Sequence, residues 1–219
     1  FRQYTLHVKD LRTGATLPDR IEKTSSVTWA GDNTTIFYVV EDQAKRPYRF
    51  YRHALGGTDD ALVYEEKDEL YRIFADRSRS RAYIFLTSAS ATTSEVRYLD
   101  AAKPGAEPKL ILPREGEHEY YVDHRGNEFY IRTNSGALNY RIVTAPVSDP
   151  QKKNWHELIA HRSDVMLEDI DLFGNHLVIH ERQDGLPKLH VLELRNMKEH
   201  VVDFPEPVYS VYSDRNEVF

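Results

Sequence analysis

The chain has 219 residues, 40% hydrophobic and 29% charged, which supplies a core and excludes a disordered polypeptide. A formal net charge of −6 with a pI of about 5.9 disfavours phosphate-directed nucleic-acid binding and would mildly attract a basic ligand. The absence of cysteine excludes disulfides, thiolate nucleophiles and cysteine-ligated zinc, and no apolar run reaches the roughly 18–20 residues of a membrane helix.

Fourteen tyrosines and nine phenylalanines suit pleated, half-buried strands. Residues 4–10 alternate as a strand, Thr13-Gly14 supplies a turn, and residues 15–22 run back, so 1–25 reads as part of a blade. The first full unit, 26–69, has strands at 26–30, 35–41, 48–55 and 61–65, with a turn at Gly31-Asp32-Asn33 and a break at Gly56-Gly57. In its second strand Ile36, Tyr38 and Val40 share one face while Phe37 and Val39 share the other, as in a sheet stacked between two neighbours. The second unit, 70–117, has strands at 71–75, 81–89, 95–100 and 108–112. The third, 118–167, has them at 119–123, 128–133, 140–146 and 156–160, turning at Arg125-Gly126-Asn127. The fourth, 168–207, has them at 169–172, 176–182, 188–193 and 200–203, turning at Phe173-Gly174-Asn175. Residues 208–212 open a further partial unit, 208–219, and 163–169 is the one place for a short helical turn.

The units begin near Val27, Tyr71, Glu119 and Glu168, spaced by 44, 48 and 49 residues. Four short strands at a period of roughly 40–50 residues mark a β-propeller. The expected fold is therefore all-β, a partial propeller of four-stranded antiparallel blades, about four complete and two incomplete, with a β-sandwich as the alternative. A start at Phe1 without Met or a signal-type core, and an ending in mid-blade, are expected of a piece of a longer propeller.

An ordered series of short motifs runs through these units. It comprises Val8-Lys9-Asp10-Leu11, Leu17-Pro18-Asp19, Ile36-Phe37-Tyr38, Arg46-Pro47-Tyr48, Tyr51-Arg52-His53 and Leu62-Val63-Tyr64-Glu65-Glu66. It continues with Tyr98-Leu99-Asp100-Ala101, Glu119-Tyr120-Tyr121-Val122, Phe129-Tyr130-Ile131-Arg132-Thr133-Asn134, Asn139-Tyr140-Arg141 and His180-Glu181-Arg182. Over nearly the whole chain this order resembles the propeller of the oligopeptidase B branch of the prolyl oligopeptidase family of serine peptidases. The resemblance implies a seven-bladed propeller that covers an α/β-hydrolase domain and limits substrates to short peptides, cleaved in this branch after Arg or Lys. It also implies that the catalytic Ser, Asp and His lie in the hydrolase domain, which nothing here matches.

No Gly-x-Ser-x-Gly elbow is present, and Ser78, Ser80, Ser88 and Ser90 lack the strand–turn–helix setting an elbow needs. No catalytic, cofactor-binding or metal-binding residue is assigned, and no cofactor is expected. His156 and His161 are five apart, which suits neither one helix face nor one strand face. His176 and His180 could share a strand face, but they read as strand ends and lack a third ligand. Glu65, Glu66, Lys67, Asp68 and Glu69 read as a solvated inter-blade loop that could also steer basic peptides. Glu115, Glu117 and Glu119 could line one strand face in the same way, with a solvent-facing edge the plainer reading. Arg72, Arg77, Arg79 and Arg81 suit an exposed blade edge or a contact with the hydrolase domain. Tyr120, Tyr121, Tyr130 and Tyr140 suit blade packing better than a platform for bases. The triplet Asn33-Thr34-Thr35 lies in a tight turn and carries no weight as a glycosylation signal.

The resemblance leads to the expectation that the chain is the gating propeller of a serine oligopeptidase, inert alone. Its expected partners are its own hydrolase domain and short basic peptides, with no nucleic acid or membrane. A cytoplasmic location is expected, the periplasm being the alternative. Uncovered blade edges are expected to make the piece self-associate. A free-standing propeller scaffold is the rival from another class, without the Trp-Asp and Gly-His signatures of the commonest scaffold repeats.

Overall fold

The computed structural model describes residues 3–213 and 219. The strands are β1 Tyr4–Lys9, β2 Thr16–Trp29, β3 Thr35–Glu41, β4 Pro47–Ala54, β5 Ala61–Glu65, β6 Arg72–Arg77, β7 Tyr83–Ala89, β8 Ser94–Asp100 and β9 Lys109–Leu112. There follow β10 Tyr120–Arg125, β11 Glu128–Thr133, β12 Arg141–Pro146, β13 His156–Ile159, β14 Val165–Leu172, β15 His176–Gln183, β16 Leu186–Glu193 and β17 Lys198–Val201. They form four antiparallel sheets in chain order, β1–β5, β6–β9, β10–β13 and β14–β17. Up-and-down sheets repeated in this way match a partial β-propeller. The first two sheets form one compact unit, Phe1–Pro113, and the last two another, Arg114–Phe219.

The hairpins follow from their turn residues. Gly126 at φ 61° and Asn127 close the register pair Arg125↔Glu128 with two residues, a position where a side chain would be strained. In the β2–β3 turn Asn33 takes φ 56°, and the Asp32 carboxylate accepts hydrogen bonds from Thr34 N (3.0 Å), Thr35 N (2.9 Å) and Thr35 Oγ1 (2.7 Å). Burial works against the charged form, but these hydrogen bonds outweigh it and bring the Asp32 pKa down to about 2. The β6–β7 turn uses serine in the same manner, with Ser78 Oγ accepting from Tyr83 N at 3.0 Å.

Alternation then builds each core from two sheet faces. In the first unit Ala30, Phe37, Val39 and Phe50 of the first sheet meet Ile73, Ala75, Ile84, Leu86, Leu99 and Ala101 of the second. Phe37 and Phe50 stack at 5.2 Å between centroids. The close approach extends to the backbone, where Gly31 N donates to Ala101 O at 2.6 Å. In the second unit Tyr130, Tyr140 and Ile142 meet Leu167, Leu172, Leu177, Ile179 and Leu192. The second strands β3, β7 and β11 are buried on both faces, whereas β15 alternates, its His176, Val178, His180 face remaining at least partly open.

Three expectations change. The hairpin of 1–25 shares one five-stranded sheet with the unit that follows, because the expected strands at 15–22 and 26–30 merge into the single 14-residue strand Thr16–Trp29. The first half of β2 pairs with β1 and the second with β3, with Lys23 at φ 58° and a register shift between Thr24 and Ser26. Residues 163–169 form no helical turn. A turn at 163–164 leads into β14, and the 3-10 helix among the described residues is Lys152–Asn154. No strand forms at 208–212, where Val208 and Tyr212 are exposed and no neighbouring strand pairs with them among the described residues, and 214–218 lie outside those residues.

Candidate functional site

The acidic run after β5 is largely consumed by its own loop. Glu65 pairs with Arg49 at 2.8 Å. Glu66 is buried and accepts from Ser88 Oγ (2.5 Å), Tyr64 Oη (3.1 Å) and Asp68 N (3.0 Å). The Arg46 guanidinium stitches the same loop by donating to the carbonyls of Glu66, Asp68 and Tyr71 at 3.1–3.3 Å. Lys67, Asp68 and Glu69 face solvent, so the part of the run able to act at a distance is reduced to them.

The Glu115, Glu117, Glu119 row does not exist as a strand face. All three precede β10 in a loop, where Glu117 takes φ 60° and turns the chain. Glu115 pairs with Lys152 and lies 3.5 Å from His118 Nδ1, and Glu119 accepts from Tyr140 Oη at 2.7 Å. Arg72 stands exposed on β6, and Arg77 Nε donates to Arg81 O at 2.9 Å in the hairpin that follows.

Tyr120, Tyr130 and Tyr140 are buried, which rules out a stacking platform for bases. The buried Arg132 guanidinium instead lies over the rings of both Tyr121 and Tyr140, 4.2 and 4.5 Å from the centroids. Arg132 also donates to Leu167 O at 3.1 Å, linking β11 to β14. Desolvation and the Glu119 hydrogen bond raise the Tyr140 pKa to well above its ordinary value.

Of the histidines, His156 is exposed in β13 and His161 follows that strand. His176 opens β15, but His180 lies within it, not at an end, and pairs with Asp171 at 2.8 Å. That hydrogen bond raises the His180 pKa against the effect of burial. No group of three or more His, Cys, Asp or Glu suited to a metal ion occurs among the described residues. Ser78 and Ser90 are in turns, and Ser88 in β7 is engaged with Glu66. A shallow open cleft of about 430 Å3 lies on the fourth sheet, lined by Phe173, Gly174, Asn175, His176, Val178, Val191 and Phe219.

The most developed polar constellation was not singled out from the sequence as a site. His53 of β4 places Nε2 2.8 Å from Asp19 Oδ1 of β2 and Nδ1 2.6 Å from Asp60 Oδ1 in the β4–β5 loop. Tyr38 of β3 donates to Asp60 Oδ2 at 2.5 Å, and Gly56 N donates to Asp19 Oδ1 at 2.5 Å. The residues are 34 and 7 positions apart, so no local spacing reveals them, although Leu17-Pro18-Asp19 and Tyr51-Arg52-His53 both belong to the family-like motifs. The row contains two acids, an imidazole and a phenol, without a nucleophile beside the histidine.

The repeated sheets define a β-propeller domain, and comparison with known proteins narrows the class. The chain belongs to the prolyl oligopeptidase N-terminal β-propeller family, whose model matches residues 2–218. It is 38% identical over 205 residues to dipeptidyl aminopeptidase BI of Pseudoxanthomonas mexicana, covering 91% of this chain and 28% of the relative. It is 32% identical over 214 residues to Protease 2 of Moraxella lacunata, covering 95% and 30%. Among solved structures, oligopeptidase B from Leishmania major superposes with a TM-score of 0.87 at 28% identity, covering 94% of this chain and 30% of that one. The chain thus spans less than a third of the length of these relatives.

Proposed function

We propose that this chain is the propeller part of a serine oligopeptidase that cleaves short peptides after Arg or Lys. The observation that carries the reading is the family match over residues 2–218, joined to the likeness to Protease 2 and to an oligopeptidase B structure. The propeller's role is steric, admitting an extended peptide to an α/β-hydrolase domain outside this chain and refusing a folded protein. That domain would supply Ser–His–Asp acyl transfer with backbone donors for the oxyanion, so the 219-residue chain alone is inert. The net charge of −6 agrees with a basic substrate. A cytoplasmic location belongs to the same proposal.

A second reading within the family, release of dipeptides from a free N-terminus, is favoured by the 38% identity to dipeptidyl aminopeptidase BI. The intact protein should be assayed on an N-blocked fluorogenic Arg-Arg peptide and on a free-amine dipeptide amide, with this chain in parallel. Cleavage of the blocked peptide by the intact protein alone supports the oligopeptidase. Cleavage confined to the free-amine substrate selects the aminopeptidase, and cleavage of neither refutes both.

A further inference from the structure

A neutral imidazole has one N–H, yet both nitrogens of His53 lie within hydrogen-bond distance of a carboxylate. With both acids ionised, only the imidazolium can donate to each of them. The neutral ring turns a lone pair toward one carboxylate at under 3 Å. The row is buried at His53 and Asp19, so water cannot readily substitute. Asp19 Oδ2 is likewise buried without a hydrogen-bond partner, which leaves the Asp19 charge dependent on Oδ1 and its contacts with His53 and Gly56.

Each member of the row comes from a different part of the first sheet. Asp19 lies in the half of β2 that pairs with β1, and His53 is near the end of β4. Asp60 is in the loop to β5, and Tyr38 is in β3. The groups that face His53 are Asp19 and Asp60, with Tyr38 behind Asp60 and Tyr51 of β4 stacked on Tyr38 at 5.4 Å. We propose that Asp19–His53–Asp60 is a proton-operated latch that fastens the β1–β2 hairpin to β4 and the β4–β5 loop of the same sheet when His53 is protonated and loosens it when His53 is neutral.

The sign follows from the partners. Burial opposes the charge on His53, but hydrogen bonds to Asp19 and Asp60 outweigh it and raise its pKa above the ordinary 6.5. Stabilisation by His53 is therefore complete below 6.5 and is lost as pH rises through the higher folded-state value. Burial also opposes the Asp19 charge, and the Gly56 N–H with His53 outweighs it, so the Asp19 pKa is lowered and its contribution is lost only on strong acidification. The latch is shut in mildly acidic solution and opens as pH rises through the raised His53 value.

Hydrogen exchange on the full chain tests this, read by peptide between about pH 6 and about pH 9 and corrected for base-catalysed exchange. Protection across residues 4–24 should fall over that range while that of β7 and β8 stays constant, and His53→Gln should abolish the pH dependence. Equal pH dependence in wild type and His53→Gln, or none in wild type, overturns the latch. Imidazole-directed NMR on the wild type covers the case in which the variant does not fold. Two ring N–H protons on His53 at about pH 6, one of them lost on the alkaline side, support the proposal, and a single N–H throughout refutes it.

Discussion

At Gly31 a single hydrogen atom separates two sheets. A Cβ there would stand 3.0 Å from Ala101 O and 3.2 Å from its carbon, both backbone atoms that move only with the strand end. Gly31→Ala should cost about 1–3 kcal/mol, read as a lower urea midpoint at constant slope. Arg132 presents the converse case, a buried cation over two tyrosine rings. Arg132→Lys keeps the charge but loses the guanidinium's contact with the rings and its donor to Leu167, and should cost about 1–2 kcal/mol by the same measurement. His118 titrates opposite to His53. Burial and then Lys152 lower its pKa, with Glu115 opposing, so its neutral form favours the fold above pH 6.5 and that contribution is lost as pH falls through the lowered value. His118→Gln, which keeps a hydrogen-bonding group for Thr133, should flatten the acid limb of the stability–pH curve, and an unchanged limb would contradict this role for His118.

At the scale of elements, the strength lies in paired sheet faces rather than in single strands. Phe50 is fully buried, stacks on Phe37 and bears on the β6–β7 hairpin side of the core. Phe50→Ala should therefore destabilise the first unit by about 3–5 kcal/mol, and a loss under 1 kcal/mol in chemical denaturation would show that the two sheets do not share this core. The hairpins were legible because period-two alternation stops at Gly, Asp, Asn or Ser, as in β10–Gly126-Asn127–β11. The continuity of β2 was not, because Lys23 at positive φ and the irregular pairing at Ser25 are products of the partners β1 and β3. The start of β14 was missed for a similar reason. Leu167 N is held by Asn139 O, a contact 28 residues distant that local pattern does not encode. The candidate residues fared likewise, since the burial of Glu66 and the Asp19–His53–Asp60 row depend on strand neighbours far apart in sequence.

At the scale of the whole molecule, apolar surface remains on sheet faces of both units. On the first sheet Val27, Trp29 and Leu62 are 39%, 37% and 50% exposed. The fourth sheet contributes Phe173, Val178 and Val191 to its open cleft. Surfaces of this kind favour association, so light scattering on the 219-residue chain should show mass rising with concentration. A strictly monomeric 25.5 kDa species at every concentration would contradict that expectation. Gating by the propeller is tested by the intact protein's kcat/KM on one Arg-containing cleavage sequence carried by a pentapeptide, by a long unfolded polypeptide and by a loop of a folded domain. A size-selecting propeller gives efficient cleavage of the pentapeptide, a steep fall for the longer chain and none for the folded domain. Equal cleavage of all three would mean that the propeller does not select by size.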